Sequence, residues 1–205
     1  MKEYTSIEKE IRYGEIVYAF DKIDGSNIRA EWNKKSKLSK FGTRHQSIGA
    51  KDSGIWGEAI QLIVEKYERD LHDIFVDQRW QTVTCFFEFW GKNSFAGNHI
   101  EEPHDVTLFD VSIYKKGYVL PREYLKLFKN VDIAKLLYYG EVNQEFIDSV
   151  KQSQLEGMTF EGVVCKMARY KTPGITDMFK VKSSVWLDKL KIKCNGDKRL
   201  FEQLA

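Results

Sequence analysis

Five short stretches of this chain read as β-strands, and each carries an ionisable residue at its end or in its middle. A strand holds a side chain at a fixed point on a rigid frame, so this pattern limits the chain to a sheet-rich fold with charges at chosen places. In the first stretch, the apolar run Ile16 to Phe20 ends at Lys22 and an Asp24-Gly25 turn. An alternating strand follows, with Ile28, Ala30 and Trp32 set against Arg29, Glu31 and Asn33. The second stretch, Cys85-Phe86-Phe87-Glu88-Phe89-Trp90, places Glu88 among aromatics, with Phe86, Glu88 and Trp90 on one face and Phe87 and Phe89 on the other. In the third, Leu108-Phe109-Asp110-Val111, an acid interrupts an apolar strand. The fourth, Glu161-Gly162-Val163-Val164-Cys165-Lys166, opens on a glutamate beside a glycine that permits close backbone approach. The fifth, Phe179-Lys180-Val181-Lys182, sets two ammonium groups on one strand face, where they repel unless an anion lies between them. Each stretch alone has a plain structural reading: a hairpin turn, an edge-strand acid, a core phenylalanine or solvated lysines.

The remaining periodicity predicts an α+β domain of antiparallel strands with helices outside. A short surface helix is expected in residues 1–14 from the spacing of Ile7 and Ile11. Strands are expected at 15–20, 26–33, within 38–48, at 82–90, 106–114, 118–120, 162–167 and 177–182. Lys34-Lys35-Ser36-Lys37 reads as a hairpin tip. Asp52 or Ser53 is placed to cap a helix running to about residue 76. Asn93, Gly97, His99 and Pro103 mark a loop. Pro121 starts a helix through 128, and Val142, Phe146 and Val150 stripe another. From Trp186 the tail reads as helix broken near Gly196. The whole is one domain over 1–205, with 186–205 as a short C-terminal tail.

Composition narrows the setting. A hydrophobic fraction of 42% supports a core, and a formal net charge of +2 leaves nucleic-acid binding to local basic patches. Cys85, Cys165 and Cys194 form no CxxC pair, which fits a reducing cytoplasm and argues against a disulfide framework or zinc cluster. No apolar run approaches the roughly 18–20 residues of a membrane span, and no signal-peptide pattern opens the chain. The histidines show no ligand spacing. GxxxxGK[ST], HExxH, GxSxG and GxGxxG motifs are all missing.

The five motifs in this order resemble the covalent nucleotidyltransferase superfamily of ATP-dependent RNA ligases, DNA ligases and capping enzymes. They are most similar to the phage and bacterial RNA ligases. Ser26-Asn27 after the glycine and the Lys180-Val181-Lys182-Ser183 ending carry that preference. The resemblance spans about residues 15–185. It implies the ATP-grasp-like adenylation fold of these ligases, here without the additional OB domain, since only 23 residues follow Lys182.

The resemblance also implies roles. Lys22 would attack ATP and carry AMP, pass it to an RNA 5′-phosphate, and let a 3′-hydroxyl displace it. Lys180 and Lys182 would neutralise the α-phosphate and help keep the Lys22 amine neutral. Asp24, Glu88 and Glu161 would hold the waters of Mg²⁺ or Mn²⁺, with Glu161 also counted as catalytic and Glu88 alternatively on the ribose. Asn27 and Arg44 would contact the nucleotide, Phe109 would stack on adenine, and the backbone near Asp21 would read its amino group. Lys189, Lys191, Lys193, Lys198 and Arg199 would offer a phosphate-tracking surface, with a solvated helix face as the plain alternative. The partners implied are RNA ends, nicked or single-stranded, and an end-processing or RNA-gripping protein, with no membrane. A minimal DNA ligase and a non-catalytic nucleotide-binding relative are the alternatives.

Overall fold

The computed structural model describes residues 1–49, 54–92, 94 and 101–204. In chain order these form β1 (Ile16–Asp21), β2 (Ser26–Asn33), β3 (Lys37–Thr43), β4 (Ser47–Ile48), α1 (Ile55–Asp77) and β5 (Thr82–Trp90). Then come β6 (Asp105–Ile113), β7 (Gly117–Tyr118), α2 (Pro121–Leu127), β8 (Leu136–Glu141), α3 (Gln144–Lys151), β9 (Gly162–Thr172), β10 (Ile175–Lys182), α4 (Ser184–Lys193) and α5 (Lys198–Leu204). The strands make two antiparallel sheets, one of four in the order β10-β9-β1-β8 and one of six in the order β4-β3-β2-β5-β6-β7. This is the α+β architecture expected from the sequence. The proposed caps Asp52 and Ser53, and the loop residues Asn93, Gly97 and His99, lie outside the described residues.

Each sheet buries one face against helices. On α1, Ala59, Ile63, Tyr67, Leu71 and Phe75 recur every four residues and are buried. They pack with Ile28, Ala30 and Trp32 of β2 and with Val83, Cys85, Phe87 and Phe89 of β5. Full burial of a large apolar side chain contributes roughly 1.5–3 kcal/mol, so this stripe fixes α1 on the six-stranded sheet. The four-stranded sheet buries Val17, Ala19, Val163, Cys165, Phe179 and Val181 against Phe146, Ile147 and Val150 of α3. Asn143 caps that helix, its side-chain oxygen accepting from the Phe146 amide at 2.8 Å.

The other faces meet around a third cluster of Tyr4, Phe86, Tyr118 and Met178. Phe86 therefore points away from Phe87 and Phe89, as strand alternation predicts. The sheets are joined there by a buried ion pair, Lys166 Nζ to Asp110 Oδ2 at 2.8 Å. Tyr4 donates its hydroxyl to the same carboxylate oxygen at 2.9 Å.

One expectation fails, and one strand carries no sequence signal. Residues 1–14 contain no helix. Ile7 packs on the inter-sheet cluster and Ile11 on the core of the four-stranded sheet, so their four-residue spacing reflects two separate cores. Instead, Glu8 forms a parallel bridge to Phe179, extending the sheet past β10. The strand without a signal is β8. Leu136, Leu137, Tyr138 and Tyr139 show no polar–apolar alternation, because several positions on both faces are only partly covered. The tail behaves as expected, with Asn195 and Gly196 at positive φ between α4 and α5.

Candidate active site

Lys22 stands where the chain crosses between sheets. β1 pairs with β8 and β9, whereas β2 pairs with β3 and β5, so residues 22–25 are a crossover and not the hairpin turn of the plain reading. Two backbone bonds hold its entry: the Asp21 amide donates to the Lys135 carbonyl at 2.8 Å, and the Lys22 amide to the Gly162 carbonyl at 2.9 Å. Its exit presses on β5. A Cβ at position 25 would overlap the Phe89 carbonyl oxygen and lie 3.0 Å from Glu88 Cγ, so glycine is required for this approach. Gly162 is constrained the same way at its φ of 138°, where a Cβ would overlap the Val181 carbonyl. That contact locks the Lys182↔Gly162 register and places Lys182 beside Glu161.

A cavity of about 710 Å³ opens over this crossover, within the range of small-molecule sites. All ten residues singled out from the motifs line it: Asp21, Lys22, Asp24, Asn27, Arg44, Glu88, Phe109, Glu161, Lys180 and Lys182. Glu161 lies between two ammonium groups, with Lys22 Nζ 2.8 Å from Oε2 and Lys182 Nζ 2.9 Å from Oε1. Lys182 also donates to the Leu204 carbonyl at 2.8 Å and lies 3.7 Å from the Trp186 ring centroid. Arg44 is exposed and donates to the Ser6 hydroxyl at 3.1 Å. The Asn27 Oδ1 is buried without a hydrogen-bond partner among the described residues, an acceptor open to a ligand donor. Asp21 accepts the Thr159 amide at 3.0 Å. Phe109 packs edge-on against Tyr4, with ring centroids 5.0 Å apart.

The charges in this cavity are strongly coupled. Burial pushes the Lys22 ammonium down, but Glu161, Glu88 and Asp24 outweigh it and hold Lys22 above the ordinary lysine value. The carboxylates therefore set the balance at this amine, ahead of the neighbouring lysines expected to favour its neutral form. The lysines themselves carry the opposite perturbation. Burial, then Lys182, Lys22 and Lys9, push Lys180 down to about 7. Burial pushes Lys182 down to about 8 against the pull of Glu161. Burial, reinforced by Glu161 and Asp24, raises Glu88 to about 8 against the pull of Lys22.

Among the described residues no group of three or more His, Cys, Asp or Glu is close enough to grip a metal directly. The acids do fit a hydrated cation: Asp24, Glu88 and Glu161 all act on one ammonium, and Glu88 is raised partly because the other two repel its charge. A hard divalent ion that keeps several waters suits such outer oxygen donors.

Part of the lining carries no sequence signal. Tyr4, Thr5, Ser6, Ile7 and Lys9 enter from the N-terminal segment, and Trp186 and Leu204 from the tail. No local pattern marks them, because their placement depends on the Glu8 bridge and on α5 packing over Trp186. Lys166 closes the fourth motif, and nothing local to that stretch marks its pairing with Asp110.

A family model described as RNA ligase matches residues 15–182. No curated protein matches. Three solved structures of the Naegleria gruberi RNA ligase share the fold. The form with pyrophosphate superposes at a TM-score of 0.69 with 17% identity, covering 94% of this chain and 58% of that one. A mutant with AMP and Mn gives 0.67 and 18%, covering 92% and 58%, and a mutant with ATP and Mn gives 0.66 and 18%, covering 90% and 57%. The chain thus spans a little under three-fifths of the length of these structures.

Proposed function

Because this chain belongs to the RNA ligase family, we propose that it is an ATP-dependent RNA ligase that joins a 3′-hydroxyl to a 5′-phosphate through AMP carried on Lys22. The observation that carries this reading is the Lys22–Glu161–Lys182 arrangement at the crossover, facing a nucleotide-sized cavity lined by all ten residues given a role at the nucleotide.

In this account Lys22 loses a proton towards Glu161, whose Oε2 is 2.8 Å from its Nζ. The free amine then attacks the α-phosphorus of ATP. An incoming triphosphate releases Lys182 from Glu161 and draws Lys180 and Lys182 into their charged forms, so the oxyanion meets two fixed cations. Phosphoryl transfer needs little covalent chemistry from the protein beyond this positioning. Asp24, Glu88 and Glu161 would hold Mg²⁺ or Mn²⁺, which would supply positive charge to the phosphates. Phe109 is assigned to the adenine face, Asn27 and Arg44 to the nucleotide, and the backbone near Asp21 to the adenine amino group. AMP next passes to the RNA 5′-phosphate, and the 3′-hydroxyl displaces it.

We take residues 1–205 as one adenylation domain with a short tail, working in the cytoplasm. The three cysteines are free, and among the described residues no helix is long and apolar enough to cross a membrane. An end-processing or RNA-gripping partner belongs to the same reading. The test is sealing of nicked duplexes that differ only in the sugar of the 3′-hydroxyl strand. Joining with RNA 3′ ends supports the proposal. Joining confined to DNA 3′ ends supports the DNA-ligase alternative instead. ATP binding with no joining in either series supports the non-catalytic alternative.

A further inference from the structure

We propose that Lys9 is a further phosphate-binding residue, which holds the β- and γ-phosphates of the nucleotide while Lys180 and Lys182 hold the α-phosphate. This rests on the adenylyl-transfer reading above. Lys9 lies in the stretch where periodicity suggests a helix and the structure shows extended chain. Glu8 bridges Phe179 in parallel, and the Lys180 amide donates to the Glu8 carbonyl at 2.9 Å. In a parallel pairing, neighbours in register point to the same face, so Lys9 emerges beside Lys180. Both side chains line the cavity over Lys22. Phe179 points the other way, into the core of the four-stranded sheet.

The present contacts of these lysines already describe an acceptor site. Lys9 Nζ donates to the Glu202 carbonyl at 2.9 Å, and Lys182 Nζ donates to the Leu204 carbonyl at 2.8 Å. Both oxygens belong to the last turn of α5, where helix carbonyls lack intrahelical partners and carry partial negative charge. Two lysines, one from the N-terminal segment and one from the end of β10, thus converge on one electronegative edge. Phosphate oxygens replacing those carbonyls gain full charge at the same donors. A nucleoside triphosphate carries more charge than Lys180 and Lys182 can neutralise at one phosphate, and Lys9 is the added cation on the open side.

The step balances simply. The Lys22 nitrogen forms a bond to the α-phosphorus. The bond from that phosphorus to the bridging oxygen breaks, and the oxygen keeps the electron pair and leaves as pyrophosphate. The proton from Lys22 passes by way of Glu161 to solvent. Lys9 stabilises the departing pyrophosphate, so its effect belongs to adenylylation and not to later sealing.

The experiment compares Lys9→Ala, Lys9→Arg and the unaltered protein in two reactions: adduct formation from ATP, and sealing of pre-adenylylated RNA, which releases no pyrophosphate. Loss of one charge-assisted contact is expected to lower the rate constant for adduct formation at low ATP on the order of 10- to 100-fold. The inhibition constant of added pyrophosphate should rise in parallel, Lys9→Arg should recover most of the loss, and sealing should change at least tenfold less. Equal adduct formation by Lys9→Ala and the unaltered protein overturns the proposal and leaves the ligase reading intact. So does an equal fall in both reactions, which places Lys9 on the RNA or in the fold. No adduct on the unaltered protein overturns the ligase reading itself.

Discussion

Removing Lys166 or Asp110 tests how the two sheets are held together beneath the cavity. The pair spans β9 and β6 at 2.8 Å, with side chains 5% and 1% exposed. Asp110 also accepts from the Tyr4 hydroxyl and from the Val111 amide, and Lys166 donates a further bond to the Phe109 carbonyl at 3.1 Å. Lys166→Met leaves a buried carboxylate without its cation, and Asp110→Leu leaves a buried ammonium. Breaking a buried pair from one side costs about 3–5 kcal/mol, whereas replacing both partners by apolar groups is often neutral. For a chain of this size each kcal/mol moves the melting temperature by about 2–4 °C, so either single variant should melt roughly 6–20 °C lower. The double variant should recover part of that loss, the remainder reflecting the Tyr4 hydroxyl left without its acceptor. Scanning calorimetry of the four proteins at pH 7 completes the cycle. Single losses below about 1 kcal/mol, the scale of an exposed pair, or a double variant that simply sums the singles, would refute the reasoning.

Gly25→Ala should destabilise the fold by about 1–3 kcal/mol, measured by urea unfolding, because the new methyl meets the Phe89 carbonyl and Glu88. It should also lower adduct formation by displacing Lys22; an unchanged unfolding midpoint counts against the required approach. ATP binding should take up protons between about pH 7 and 10, because Lys180 and Lys182, pushed down to about 7 and about 8, regain protons beside phosphate. Calorimetric titration in buffers of different ionisation enthalpy reads the uptake, which should shrink below pH 6 where both lysines already hold their protons; a buffer-independent heat at pH 8.5 contradicts it. All three cysteines are buried, and burial pushes the Cys85 and Cys165 thiols up. The folded protein should therefore resist thiol reagents at pH 8 and react at three sites only when denatured, and fast labelling of the native chain argues against this packing.

The strands that carry the motifs were legible because each is a short apolar or alternating run that ends at, or is interrupted by, a charge. The alternation in 82–90 was enough to put Glu88 opposite Phe87 and Phe89. The helix α1 was legible from apolar residues at three- and four-residue steps, Ala59, Leu62, Ile63, Tyr67, Leu71 and Ile74 among them. What sequence could not convey is which sheet each strand joins. Lys22 followed by Asp24-Gly25 has the local form of a hairpin, yet β1 and β2 enter different sheets, and only that crossover brings Lys22 to Glu161, 139 positions away in the chain. The N-terminal segment was misread for a related reason. Ile7 and Ile11 mimic a helical step while serving two separate cores. The charge balance at Lys22 was equally hidden, since counting neighbouring lysines ignores three carboxylates that only the fold assembles.

The most direct test of the central claim is to incubate the protein with ATP and Mg²⁺, denature it, and weigh the intact chain and its peptides. The expected result is a gain of one AMP, on the peptide containing Lys22, released by acid as a phosphoramidate is and missing from Lys22→Ala. An unmodified chain, or an adduct that persists in Lys22→Ala, would contradict it.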